Sequence, residues 1–250
     1  MTENNIREGA IALEGEDPSL SSRRRFLASS AALLGGGALL AALPGVAKAH
    51  NASGSPTDVD ILNYALTLER LEANFYRRML QRFGEREFEQ ANILDGLGSY
   101  LRTKVYENFQ RISEHENTHV KTLVDVIESL GGNPVPKSEY DFGVMSVGDA
   151  LMVAQTLENT GVKAYDGAIA HIEAAELLTA GATIATVEAR HASYLNLLNR
   201  TSPFPKAFDK PVAPRTICEA VQGFITSSPM PYGPYASLQA FCASLPDTTS

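Results

Sequence analysis

The sequence has little of three things: cysteine, basic residues and unbroken apolar stretches. Its 250 residues include two cysteines, Cys218 and Cys242, which lack the spacing of a cysteine-ligated metal site. Lysine and arginine total 21 against 29 acidic residues, and the net charge of −8 argues against a nucleic-acid partner and favours the gathering of cations. The apolar run over residues 28–46 is weakened by glycines at 35–37 and by Pro44, so we expect no stable membrane span.

The first 49 residues have the layout of an export signal. Arginines at 23–25 precede the apolar run, and Ala47-Lys48-Ala49 ends it with small residues at the positions that a signal peptidase requires. We therefore predict a twin-arginine signal peptide over residues 1–49, a linker over residues 50–56, and a periplasmic or extracellular protein. An uncleaved membrane anchor is the alternative. The twin-arginine route carries folded proteins, so a metal can be loaded before export.

Two Glu-x-x-His tetrads each lie in a long stretch with helical periodicity, Glu116–His119 and Glu188–His191. Residues three apart share one face of a helix, so each tetrad offers a carboxylate and an imidazole to one point. A helical segment with a lone inward glutamate precedes each tetrad, and these glutamates are Glu69 and Glu158. One Glu from each of two helices and Glu-x-x-His from two others is the ligand pattern of di-iron and di-manganese four-helix bundles.

An internal repeat strengthens this reading against chance. Glu69 is followed seven residues later by Tyr76, and Glu158 is followed seven residues later by Tyr165. Ligands on antiparallel helices must lie at one height, so each turn must fall near the midpoint of its pair. One midpoint is near residue 92, in an aperiodic stretch, and the other is near residue 173, where neither glycine nor proline marks a turn.

Local signals delimit four helices. Thr57 with Asp60 and Ser146 with Asp149 form capping boxes for the first and third, and two glycines at 131–132 end the second. We predict helices over residues 58–83, 99–130 and 175–199, and a third helix that begins after Ser146. The connection over residues 133–145 is too long for a hairpin and is expected to cross the length of the bundle. The sequence predicts an all-α four-helix bundle over residues 57–200 and a C-terminal extension over residues 201–250.

Four motifs in this region resemble a known family. They are DILNYALTLE at 60–69 with LEANFY at 71–76, EHENTHV at 114–120, LENTGVKAY at 157–165 and VEARHA at 187–192. In this order they look like the helices of exported ferritin-like proteins related to plant desiccation-related proteins. The resemblance implies a ferritin-like bundle with iron or manganese at the matching positions, and it implies no settled activity.

The chemistry of the six residues suggests a role for each. Glu69 and Glu158 would be terminal ligands, Glu116 and Glu188 would bridge two metals, and His119 and His191 would each bind one metal as neutral imidazole. Four carboxylates and two imidazoles suit two iron or manganese ions, although zinc remains possible. The alternative is a bundle that has lost metal binding and in which the buried carboxylates and imidazoles pair with one another.

Several neighbours of the six have open roles. Glu72 is a seventh ligand, a gate carboxylate on the entry path, or a residue at the edge of the apolar stripe that pairs with Arg70 or in the neighbourhood of Arg77, and the last reading is preferred. Tyr76 and Tyr165 either bond to a ligand or pass an electron, or else simply pack. The other histidines, His115 and His171, are expected at the surface or behind the ligands.

Three functions compete at this stage. The first is an exported di-metal oxidoreductase that uses O2 or peroxide, with ferroxidase or peroxide-removing activity. The second is a non-catalytic stress protein with a structural metal or none, and the third is a subunit of an iron-storage shell. A homo-oligomer is possible in each case. In the C-terminal extension, Cys218 and Cys242 are expected to form a disulfide in an oxidising compartment, with two free thiols as the alternative.

Overall fold

The computed structural model describes residues 56–249, so the predicted signal peptide and residues 50–55 of the predicted linker lie outside the described residues. Four long helices form the bundle: α1 Asp58–Arg82, α3 Ser99–Ser129, α4 Val147–Ala168 and α5 Ala175–Leu198. Three shorter ones are α2 Glu85–Glu89, between α1 and α3, and α6 Pro214–Val221 and α7 Leu238–Ser244 in the C-terminal extension. The all-α prediction is confirmed. None of the described helices is long and apolar enough to cross a membrane.

The helix ends follow the local capping signals. Asp60 N donates to Thr57 Oγ1 at 3.3 Å while Thr57 N donates to the Asp60 carboxylate at 2.8 Å, which closes the box at the start of α1. Ser146 and Asp149 make the same reciprocal pair before α4. After α3, Gly131 has a φ of 74°, a left-handed conformation that glycine adopts without a steric penalty.

The turn between α4 and α5 contains no glycine or proline and is stabilised from a distance. A short 3-10 turn, Ile169–His171, follows α4, and the chain then enters α5 at Ala175. The Asp58 carboxylate accepts hydrogen bonds from Glu173 N at 2.7 Å and from Ala174 N at 3.1 Å. Asp58 therefore links the first turn of α1 to the turn before α5 and places a negative charge near the N-terminus of α5.

The connection from α3 to α4 runs along α1, as the sequence predicted. Near its start, Asn63 donates to the Asn133 carbonyl at 3.2 Å and accepts from Val135 N at 2.8 Å. Near its end, Arg82 donates to the Val144 carbonyl at 2.6 Å. Since Asn63 and Arg82 lie at opposite ends of α1, the crossover spans the bundle and lets α4 start at the end where α3 starts.

The C-terminal extension packs onto the bundle. Two short strands, β1 Glu139–Tyr140 of the crossover and β2 Ile225–Ser227 of the extension, pair antiparallel and were not predicted. The disulfide between Cys218 and Cys242 joins α6 to α7, as expected. Gly167 of α4 allows the extension to approach closely, because a Cβ there would lie 1.9 Å from the Val212 carbonyl oxygen.

Candidate metal centre

The bundle core contains a polar cluster in its middle layer. Its carboxylates come one from each long helix, Glu69 from α1, Glu116 from α3, Glu158 from α4 and Glu188 from α5, and all four are fully buried. The imidazoles of His119 and His191 are buried beside them. The four long helices pack together through their apolar stripes above and below the cluster. The helical spacing then directs the six side chains to one place.

The six residues form two overlapping groups. The first contains Glu69, Glu116, His119 and Glu188, and the second contains Glu116, Glu158, Glu188 and His191. Within each group, one oxygen or nitrogen per residue lies within 4.8 Å of every other. Glu116 and Glu188 belong to both groups, as an assignment of bridging carboxylates requires. The structure brings together all six residues that the sequence singled out.

Both imidazoles direct Nδ1 at the carboxylates. His119 Nδ1 lies 3.2 Å from Glu69, 3.3 Å from Glu116 and 3.4 Å from Glu188. His191 Nδ1 lies 3.1 Å from both Glu116 and Glu158. Because Nδ1 carries at most one proton, it cannot satisfy two or three carboxylate oxygens at once.

The cluster has the properties of a cation site. Among the described residues, Glu188 Oε2 is buried without a hydrogen-bond partner, Glu116 Oε1 has only the shared His191 Nδ1 at 3.1 Å, and Glu188 Oε1 has only the shared His119 Nδ1 at 3.4 Å. No lysine or arginine of the described chain pairs with the four carboxylates. Unpaired buried carboxylates are costly, and two divalent cations would neutralise four of them. The residues therefore fit a pair of metal ions.

Gly161 of α4 makes room for this arrangement. A Cβ at Gly161 would lie 2.7 Å from Glu188 Oε2 and 3.3 Å from Glu72 Oε1. A carboxylate oxygen thus occupies the space that any other residue would fill with its side chain. The sequence showed this glycine only as a small residue on the inward face of α4.

Two tyrosines hold the outer carboxylates in a reciprocal pattern. Tyr76 of α1 donates to Glu158 Oε1 at 2.6 Å, and Tyr165 of α4 donates to Glu69 Oε1 at 2.5 Å. Burial raises the pKa of both hydroxyls and the nearby carboxylate charges raise it further, so both stay protonated donors. The repeated Glu and Tyr spacing in the sequence therefore corresponds to a repeated contact.

Comparison with protein-family models decides the family. The model of the ferritin-like domain matches residues 57–200, which is more than half of the chain. The chain belongs to the ferritin-like domain family. No curated protein matches it.

In this ferritin-like bundle a fifth carboxylate lies against the cluster. Glu72 is buried rather than paired with Arg70, so the preferred sequence interpretation of a residue at the stripe edge was wrong. Burial raises the pKa of Glu72 well above its usual range, and the charge of Glu188 is the next cause. Glu72 lies outside both four-residue groups, although its Oε1 faces the same glycine as Glu188.

His115 lies behind one of the histidines. Its Nδ1 is 2.9 Å from His191 Nε2, and the two rings stack with centroids 5.1 Å apart. His191 thus has its Nδ1 on the carboxylates and its Nε2 on His115, which fixes the ring orientation as a partner behind a metal ligand does. The sequence placed His115 at the surface or behind the ligands, and the structure selects the second. His171 Nε2 instead lies 3.0 Å from the Thr248 carbonyl oxygen of the C-terminal extension.

Burial and the charges of neighbouring side chains shift the pKa values of the cluster residues. Burial raises the pKa of Glu116 to about 7, with the Glu69 charge as the next cause, and burial also raises the pKa of Glu188. Burial opposes protonation of His191, but the hydrogen bonds to Glu116 and Glu158 outweigh it and raise the pKa to about 9. The pKa of His119 is raised for the same kind of reason, chiefly by Glu69. For Glu69, the attraction of His119 outweighs burial and lowers the pKa.

Proposed function

We propose that this protein is exported by the twin-arginine pathway and binds two iron or manganese ions in its ferritin-like bundle, where they take part in metal oxidation or in reactions with O2 or peroxide. The observation that carries the proposal is the sharing of Glu116 and Glu188 between two ligand groups. A cluster evolved for a single ion has no need of two shared carboxylates. The ligand chemistry, four carboxylates and two imidazoles, favours iron or manganese over structural zinc.

The chain's own residues define what happens around the ions. A bound pair of redox metals would supply one-electron chemistry at adjacent positions. Glu69 and Glu158 would hold the outer sides of the pair, with their orientation fixed by Tyr165 and Tyr76. The buried apolar layers on both sides keep bulk water from the cluster, which strengthens each electrostatic contact inside it.

Turnover is tested by ferrous-iron oxidation. We expect mature protein stripped of metal to oxidise added ferrous iron in air faster than buffer does. Glu69→Ala and Glu158→Ala should lower that rate sharply with unchanged helicity, because the apolar stripes and not the carboxylates hold the bundle. Glu114→Ala, an exposed glutamate on α3 near the tetrad, is the matched control and should keep the rate.

The second candidate is a stress-protective protein in which the metal is structural, in keeping with the resemblance to plant desiccation-related proteins. The observation in its favour is that the four carboxylates join all four long helices and are fully buried, so a cation there would hold the bundle together. This candidate predicts the reverse pattern: no oxidation rate above buffer, and a large loss of thermal stability when the metal is removed.

A further inference from the structure

A cavity of about 60 Å³ lies among the four long helices at the end of the bundle where α1 begins and α3 ends. Its lining is almost entirely apolar and includes Leu68, Leu123, Val126, Leu177 and Ile184. Apolar cavities of this kind stay dry, because a water molecule inside them would find too few hydrogen-bond partners. The cavity is therefore suited to a small nonpolar occupant.

The cavity directly adjoins the polar cluster of glutamates and histidines. On three helices a residue one turn from a proposed ligand lines it, Ala65 beside Glu69, Leu123 beside His119, and Ile184 beside Glu188. Residues four apart on a helix are neighbours on one face. On α4 the lining residues include Tyr165, whose hydroxyl donates to Glu69 Oε1 at 2.5 Å. One wall of the cavity therefore lies directly against the cluster.

The opposite end of the cavity reaches the surface. Ile169 lines it and is exposed, and Ile172 and Leu178 line it and are half-buried. The apolar space therefore extends from solvent, past the turn between α4 and α5, to the Tyr165 and Glu69 pair. On the other side of the cluster, half-buried His115 contacts His191, so a polar group lies between the ligands and solvent there.

We propose that this cavity binds dioxygen and leads it past Tyr165 to the cluster of buried glutamates and histidines, whereas hydrogen peroxide and ferrous ions reach the cluster by another route. This inference rests on the proposed function. A volume of about 60 Å³ is less than the roughly 150 Å³ of an engineered apolar cavity that binds benzene, so a diatomic gas fits better than an organic substrate. On entering an apolar space, hydrogen peroxide would lose its hydrogen bonds to water and a ferrous ion would lose its hydration shell, whereas dioxygen has almost no hydrogen bonds to lose.

Gly181 of α5 allows the cavity to be filled with little risk to the fold. It lines the cavity, and a Cβ there would meet nothing within 4 Å. Gly181→Leu therefore places an apolar side chain at the space and also improves helix propensity. The matched control is Ala182→Leu at the next position, which is exposed and does not line the cavity. Ala168→Val, on the α4 wall, is a second filling variant should the first fail to fold.

The test has a structural arm and a kinetic arm. Crystals of mature protein pressurised with xenon should show a xenon atom in the cavity of the wild type and of Ala182→Leu, and none in Gly181→Leu. In ferrous oxidation, Gly181→Leu should lower kcat/KM for dioxygen by about tenfold, because only slow leakage through the packed core remains. Its rate with hydrogen peroxide and its metal content should match those of the control.

Two results would overturn the proposal: no xenon in the wild-type cavity, or dioxygen and peroxide rates that respond alike to Gly181→Leu. Failure of the proposed function looks different. A wild-type protein that turns over with neither oxidant contradicts the di-metal oxidation and the dioxygen route together, whereas the xenon result reports on the cavity alone.

Discussion

At the scale of single residues, the number of ions that the cluster can hold depends on its two shared carboxylates. Glu116 and Glu188 lie in both ligand groups, whereas His119 lies in one. We expect Glu116→Gln or Glu188→Gln to lose both ions, because a bridge serves both, and His119→Ala to lose chiefly one. Elemental analysis after anaerobic reconstitution measures this, with exposed Glu114→Gln as control. Retention of two ions by Glu116→Gln would contradict the bridging role.

Metal uptake should release protons and strengthen as pH rises. The pKa of Glu116 is raised to about 7 and that of His191 to about 9, while metal binding requires a carboxylate and a neutral imidazole. At lower pH the ions must displace more protons, so affinity falls from pH 8 to pH 6. Calorimetric titration in buffers of different ionisation heat counts the released protons. Equal affinity at both values of pH, with no proton release, would show that these shifts are absent.

The six candidate ligands could be identified from the sequence because helical spacing is local. Glu-x-x-His places two side chains on one face of any helix, and the repeat of Glu69 with Tyr76 by Glu158 with Tyr165 identified the other two carboxylates. Glu72 was not predictable in the same way. Its carboxylate lies against Gly161, a residue of another helix, and no sequence spacing connects the two.

At the scale of helices, Gly161 determines how closely α4 approaches the carboxylates. We expect Gly161→Ala to weaken metal binding while the helix keeps or gains stability by up to about 1 kcal/mol, since alanine is the better helix former. The added Cβ would push on Glu188 Oε2, at 2.7 Å, and this flexible side chain would turn away from the cluster. Metal titration with thermal unfolding separates the two effects.

Gly181→Ala of α5 is the control for that substitution, because a Cβ there meets nothing within 4 Å. Its metal affinity should equal that of the wild type. If Gly161→Ala also binds metal like the wild type, the tight space around Glu188 has no importance for the site.

The helix ends are of two kinds, which differ in the sequence separation of the residues that stabilise them. The starts of α1 and α4 were predicted correctly because Thr57 and Ser146 bond to residues three positions on. The turn before α5 had no local signal, and only its position near residue 173 followed from the ligand spacing. The turn is stabilised by Asp58, which lies 115 residues before Glu173 in the chain, and no local pattern reveals this contact.

At the scale of the whole molecule, the disulfide belongs to the extension and not to the bundle. The Cys218–Cys242 bridge closes a loop with a sequence separation of 24, worth about 3 kcal/mol in the chain-entropy model. We expect reduction, or a Cys218→Ser and Cys242→Ser double variant, to loosen residues 201–249 while leaving helicity and metal content of the bundle intact. Limited proteolysis, circular dichroism and elemental analysis check the three parts.

Thiol titration of the unreduced protein provides the control for this prediction and should find no reactive thiol. Two reactive thiols per chain would refute the bridge in the native protein. Loss of bound metal on reduction would show that the extension supports the site and would contradict the independence of bundle and extension.

The strand pair between β1 and β2 could not be predicted from the sequence, because each strand has at most three residues. Its two strands also lie in different parts of the chain, β1 in the crossover and β2 in the C-terminal extension.

The central claim, a pair of ions held between shared carboxylates, is tested most directly by anaerobic titration of metal-free mature protein with ferrous iron, followed by anomalous scattering from crystals at the iron edge. The account predicts an end point of two ions per chain and two anomalous peaks, both within ligand distance of Glu116 and Glu188. An end point of zero or one, or a peak that contacts neither shared carboxylate, would contradict it.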